Sequence, residues 1–243
     1  MKILPKIEKF GENAILLMWK GTINAACNDE IIKIDKWMNT MFHKEILETV
    51  PSFLEIAIYL KPKVAIDVFV KQLQSSLQNV IKTEGIKKKI IYEIPVCYDE
   101  EFGIDLRELS ALSGFSIKKI VQWHTKPVYR VYFLGFLPGF PYLGGLPKAL
   151  CFPRKKEPRE VITKGSVGIG GSQTGIYTLD SPGGWNILGR TPYYFFDVTK
   201  AIPSLFQAGD YVKFVSITKT QFENITSQIK EGTYSLKREI YND

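Results

Sequence analysis

The sequence predicts an α+β protein in two parts, a small α+β domain over residues 1–90 and a β-barrel domain over residues 91–243. Three observations carry that prediction. Residues 24–42 and 63–84 repeat their apolar side chains at helical spacing and alternate with extended runs. Only three glycines fall in the first ninety residues, whereas twelve of the nineteen lie between Gly135 and Gly189. In that glycine-rich stretch, short β-type runs alternate with turn signals, the pattern of a closed or nearly closed barrel.

In the first part, ILPKIEKF (3–10) and NAILLMWK (13–20) read as strands. The helix over 24–42 places Ile31, Ile34, Met38, Met41 and Phe42 on one side. SFLEIAIYL (52–60) is a strand bounded by Pro51 and Pro62. The helix over 63–84 aligns Ile66, Phe69, Val70, Leu73, Leu77, Val80 and Ile81, with Gly85 as a cap just past its end. KKIIYEIPV (88–96) is extended again. This order lays helices over one face of a mainly antiparallel sheet. In the second part, DLRELSALSG (105–114) is a helix ending on Gly114, and SIKKIVQWHT (116–125) starts on Ser116, a good N-cap. Strands are expected at 129–136, 166–171, 174–179, 185–190, 192–198 and 210–217. A last helix, about 220–230, would pack on the outside.

Composition narrows the function. Apolar residues make up 45% of the 243 and charged residues 23%, ordinary values for a globular protein with a real core. No apolar run approaches the roughly 20 residues that span a bilayer. The N-terminal MKILPKIEKF has no apolar signal region, so a cytoplasmic location is expected. Cys27, Cys97 and Cys151 are widely spaced and form no Cys-x-x-Cys pair, which predicts reduced, mostly buried thiols. The net charge is +7, yet the 26 lysines are scattered apart from Lys87-Lys88-Lys89, so no nucleic-acid partner is expected. Arginine is rare here, and three of the six, Arg154, Arg159 and Arg190, fall in the glycine- and proline-rich stretch. Their planar forks suit a carboxylate, a phosphate or backbone carbonyls, and equally suit ion pairs with Glu157, Glu160 or Asp197.

Several motifs bear on chemistry. GSVGIGGSQTG (165–175) lacks the lysine of a phosphate loop, has Gln173 where a dinucleotide fingerprint needs glycine, and has Thr174 where a nucleophile elbow needs one. Its N–H groups could still hold an anion. In SPGGW (181–185), Pro182-Gly183 suits a type II turn that presents Trp185 at the start of a strand. The prolines and glycines of LGFLPGFPYLGGLP (134–147) exclude a helix and a central strand, and Phe140-Pro141 is a candidate cis bond. His124 is the one histidine of the second part. It is a candidate for proton transfer or a structural residue beside Trp123. No second histidine stands ready to complete a metal site, so none is expected.

The run HTKPVYRVYFLGFLPGFPYLGG (124–145), with Arg154 and Arg159 after it, then GSVGIGGSQTGIY and SPGGWNILGRTP, resembles the family of 5-oxoprolinase B subunits (PxpB), also called KipI or allophanate hydrolase subunit 1. Two departures stand out: Thr163-Lys164 in place of Pro-Ala, and Thr178 in place of a proline. The resemblance implies a ferredoxin-like α+β domain followed by a cyclophilin-like β-barrel, and the likeness to cyclophilin carries no activity with it. It implies a hydrolase that opens the 5-oxoproline lactam to glutamate at the expense of ATP, together with the A and C subunits of the same enzyme. ATP, with magnesium, would be held at the level of the complex and not tightly by this chain. On this reading Arg154, Arg159 and Arg190 hold spread negative charge. Gln173 and Tyr177 orient a polar substrate, and His124 moves the proton. Phe136, Pro138, Gly139, Phe140, Tyr142, Gly183, Gly184 and Trp185 form the wall. The family also implies an alternative, a non-catalytic inhibitor docking on a sensor histidine kinase through an apolar groove lined by Phe136, Phe140, Tyr142 and Trp185. The enzyme reading expects the three arginines to converge on one rigid hollow.

Overall fold

The computed structural model describes residues 4–77 and 90–240. The chain divides into two compact units, residues 1–87 and 88–243.

The first unit contains β1 (Lys6–Lys9), β2 (Ala14–Met18), α1 (Ala25–Met41), β3 (Ile46–Pro51), β4 (Glu55–Leu60) and α2 (Ile66–Leu77). The sheet is antiparallel throughout, in the order β1-β2-β4-β3. β2, α1 and β3 thus form a split βαβ unit around β4, the ferredoxin-like arrangement, with β1 supplying the outer strand beside β2. The period-2 pattern of β4 turns Ile56, Ile58 and Leu60 inward. There they meet Ile31, Ile34 and Met38 of α1 and Phe69, Leu73 and Leu77 of α2. Asn24 starts α1 by accepting the Cys27 N–H at 2.9 Å. Met41, expected on the inner side, is exposed. β3 was not expected. It is an edge strand ending on Pro51, where a missing backbone donor costs little. Val80, Ile81 and Gly85, expected to finish α2, lie outside the described residues, as do the first two residues of the 88–96 run.

The second unit is a barrel of seven strands: β5 (Ile90–Cys97), β6 (Tyr129–Leu134), β7 (Pro141–Gly144), β9 (Ser166–Gly170), β10 (Gln173–Ile176), β12 (Asn186–Arg190) and β13 (Tyr211–Ile217). The ring runs β5-β13-β6-β7-β10-β9-β12 and closes where Arg190 of β12 pairs with Cys97 of β5. β5 and β13 run parallel over seven residue pairs, and the other described pairings are antiparallel. A short ribbon of β8 (Arg159–Ile162) and β11 (Ser181–Gly183) lies outside the ring, and β14 (Arg238–Ile240) pairs with the start of β5. Between β5 and β6 come α3 (Leu106–Ser113) and α4 (Ile117–Thr125). Gly114 ends α3 at φ 73°, and Ser116 caps α4 by accepting the Lys119 N–H. α5 (Lys219–Lys230) buries none of its residues fully and stays at the surface.

Ile94, Val96, Tyr129, Val131, Leu143, Val167, Ile169, Ile176, Leu188, Val212 and Phe214 belong to one core cluster. A second cluster, Phe140, Ile162, Tyr177, Trp185 and Ile187, is built on the other side of the glycine-bearing strands. Glycines make that possible. A Cβ on Gly170 would stand 3.0 Å from the Trp185 ring, and one on Gly175 would stand 2.9 Å from both the Phe140 ring and the Pro141 carbonyl oxygen. The glycine run therefore serves close approach of aromatics to the barrel backbone.

Several expectations are corrected. PYYFFDV (192–198) forms no strand, only an isolated bridge from Phe196 to Ser204. It is held by side chains: Phe195 is buried and stacks on Phe206 with centroids 5.2 Å apart. The 134–147 stretch does hold an interior strand, because β7 lies between β6 and β10. Pro141 is its first residue, where a strand tolerates proline, and the Phe140-Pro141 bond is trans. Gly183 has no positive φ and belongs to β11, so SPGG is not a type II turn. All three cysteines are free, but Cys151 is exposed. Among the described residues no helix is long and apolar enough to cross a membrane.

Candidate functional site

The second aromatic cluster floors an open cleft of about 310 Å³ lined by Phe136, Phe140, Tyr142, Arg154, Lys155, Pro158, Tyr177 and residues 182–185. That size suits a small ligand. Phe140 is the centre of the floor. Its ring lies edge-on to Tyr177 at 5.4 Å and to Trp185 at 5.5 Å, and tilted against Tyr142 at 5.1 Å.

Phe136 stands at the mouth, 60% exposed, with its ring edge-on to Phe140 and Tyr177. Its backbone explains the projection. The Leu137 N–H donates to the Gly135 carbonyl at 2.8 Å while Phe136 has φ 67°, so Phe136 is the centre of a γ-turn of the rare positive-φ kind. A bulky side chain at that φ is strained.

The cationic side is Arg154 and Lys155. The segment bearing them is pinned by the Lys155 N–H to the Gly184 carbonyl (2.7 Å) and by the Asn186 amide to the Pro153 carbonyl (2.9 Å). The Arg154 guanidinium lies 5.7 Å from the centroid of the Trp185 ring, and no carboxylate pairs with it among the described residues. Lys155, by contrast, is spent on Asp105, at 3.0 Å, and on Glu108.

Asp105 is the residue that spacing alone did not reveal. It is 1% exposed and receives both Arg159 guanidinium nitrogens, at 2.6 and 3.0 Å, as well as the Ile187 N–H at 2.7 Å. Burial alone would raise its carboxyl pKa. The Arg159 fork, the Ile187 N–H and Lys155 outweigh that and bring it below the usual carboxylate range. Arg159 is therefore a structural clamp behind the cleft. The acids next to it in sequence, Glu157 and Glu160, are not its partners.

The remaining candidates are dispersed. His124 is fully buried inside the barrel and does not line the cleft. Thr174 Oγ1 donates to the Gly168 carbonyl, so it accepts from His124 Nε2–H at 2.9 Å, and His124 Nδ1 accepts from the Tyr98 hydroxyl at 2.7 Å. The ring is a neutral, satisfied core residue, and burial lowers its pKa to about 3. Its expected role in proton transfer does not survive that placement. Gln173 lines neither this cleft nor the next, and its Oε1 is buried without a partner among the described residues. Pro138 and Gly139 also lie off the cleft; the Pro138 carbonyl accepts from Thr178. Tyr177 is in the wall, with burial pushing its phenol up to about 12. The N–H groups of 166–170 face two strand neighbours, so the glycine loop does not offer them to an anion.

Arg190 lies elsewhere, in a second cleft of about 160 Å³ on the other side of Tyr177. The two departures from the family motifs meet there, since Lys164 and Thr178 both line it. The three arginines thus do not converge: Arg154 faces the first cleft, Arg190 the second, and Arg159 a buried carboxylate.

Residues 5–206 match the family model described as carboxyltransferase domain, subdomain C and D. The 5-oxoprolinase B subunit of Bacillus subtilis (strain 168) is 34% identical over 233 residues, 91% of this chain and 97% of that protein. The crystallised protein TTHA0988 is 31% identical with a TM-score of 0.72 over 84% of this chain, which spans 40% of it. The K. lactis urea amidolyase shares the fold at a TM-score of 0.81 over 99% of this chain, at 17% identity, and this chain spans 16% of it.

Proposed function

The chain belongs to the carboxyltransferase subdomain C and D family, and from that premise we propose that it is a component of an ATP-dependent amidolyase complex, namely the B subunit of a cytoplasmic 5-oxoprolinase acting with the A and C subunits. The observation that carries the reading is Arg154, a guanidinium with no carboxylate partner among the described residues, held over Trp185 at the side of an aromatic-floored cleft. 5-Oxoproline is a small ring bearing one carboxylate. Arg154 would take the carboxylate with its planar fork, and Trp185, Tyr142 and Phe140 would pack against the ring.

The cleft is equipped to bind and orient. Tyr177 stays protonated at neutral pH, because burial raises its phenol. Lys155 is committed to Asp105 and Glu108. No histidine or carboxylate lines the cleft among the described residues. A lactam is resonance-stabilised, so its carbonyl would need activation before water could open the ring, and ATP bound elsewhere in the complex would supply the phosphoryl group for it. The residues present do not fit a cradle for ATP, because the glycine-rich strands are closed by ladder bonds and aromatics. No group of three or more His, Cys, Asp or Glu side chains is placed to hold a metal among the described residues. ATP and magnesium belong, on this reading, to the assembled complex.

The test is ring opening by the reconstituted three-subunit assembly. Arg154→Ala should raise the KM for 5-oxoproline about tenfold or more and leave the chain's Tm unchanged, since the side chain has no ion pair to lose. An unchanged KM would remove Arg154 from the substrate.

A further inference from the structure

The second cleft has an unassigned chemistry. It is lined by Lys164, Thr191, Tyr193, Tyr194, Arg190 and Phe222, among others. Neither cation has a carboxylate partner among the described residues. Arg190 donates from Nε to the Lys164 carbonyl at 3.1 Å and its guanidinium lies 6.0 Å from the centroid of the Phe102 ring, which leaves both terminal nitrogens of its fork without a hydrogen bond among the described residues. That bond also fixes where the fork starts, because Lys164 is itself pinned by its N–H to Asp180 at 2.6 Å. The Lys164 ammonium sits 5.0 Å from the centroid of the Tyr194 ring. Two of the threonine hydroxyls of the cleft are already committed, Thr178 donating to Pro138 and Thr226 to Phe222, and Thr191 Oγ1 accepts from the Tyr193 N–H. Spare capacity in this hollow is thus mainly donor capacity, carried by two cations against aromatic walls. Two positive charges and no facing acid match a dianion better than a single carboxylate.

We propose that this cleft, formed by Lys164 and Arg190 between Tyr177 and Tyr193–Tyr194, is a binding site for a dianionic phosphate group, separate from the Arg154 cleft. It does not depend on the 5-oxoprolinase reading, and each can fail without the other.

The experiment is calorimetric titration of the full chain with inorganic phosphate, with sodium acetate as the singly charged comparison. The expected result is saturable one-to-one binding of phosphate and binding of acetate at least about tenfold weaker. Lys164→Ala and Arg190→Gln should each weaken phosphate about fivefold or more. Arg154→Ala should leave it unchanged. Lys164 is an exposed surface residue, so Lys164→Ala keeps the test clear of misfolding. Absence of saturable binding overturns the proposal, as does acetate binding equal to phosphate. Loss on Arg154→Ala with retention on Lys164→Ala overturns it too, because the ion would then be in the first cleft.

Discussion

His124 and Phe136 are two residues whose side chains mean the opposite of what their chemistry first suggests. His124 is a titratable group kept from titrating. Its pKa in the fold is about 3, against 6.5 in an unfolded chain. Between those values the unfolded chain binds a proton that the folded one does not, so stability rises with pH and is lost as pH falls through the window. The slope from this one group is up to about 1.4 kcal/mol per pH unit. Urea unfolding of the wild type should therefore show a steeper loss between about pH 7 and 5 than that of His124→Gln. Equal slopes would show that the imidazole reaches water. Phe136 carries backbone strain while its side chain remains 60% exposed. Phe136→Gly relieves the positive φ and gives up little burial. It should raise stability by about 1 kcal/mol, read as a higher Tm, whereas a structural aromatic would lower it.

Among the elements, the seam between β12 and β5 is the most sensitive to sequence. A Cβ on Gly189 would lie 2.6 Å from the Cys97 carbonyl oxygen, a backbone atom that cannot step aside. Gly189→Ala should cost about 2–4 kcal/mol in denaturant unfolding, and a cost below about 0.5 kcal/mol would mean that the seam is loose. Elements with strong local signals were legible beforehand: α3 with its left-handed Gly114, α4 with its serine cap, β13 with its apolar run. β3, β7, β8, β11 and β14 were not. They are three to six residues long, and three of them include a proline at Pro51, Pro141 or Pro182. Such strands exist because partners across the sheet supply their hydrogen bonds, and partner identity is not written locally. The opposite error at 192–198 has the same root, since its β-favouring aromatics found a core to fill instead of a ladder to join.

For the molecule as a whole, the aromatic wall of the first cleft could be read from two short motifs, because Phe136, Phe140 and Tyr142 lie together in one, Gly183, Gly184 and Trp185 in the other, and all six line the cleft. The fate of the arginines could not. Arg159 is claimed by Asp105, fifty-four positions away, and Arg190 is carried round the ring to another hollow. Spacing says that forks are available, and only the fold decides which is left unspent.

Arg190 has one more consequence. The circle of strands is fastened through a single pair, Arg190 with Cys97, and that same arginine reaches into the smaller hollow. A hoop with one narrow clasp opens first at the clasp, so the amides on either side of it should exchange with deuterium sooner than those of the long β5–β13 splice. Any guest gripping the guanidinium would press the clasp shut, tightening the hoop from outside.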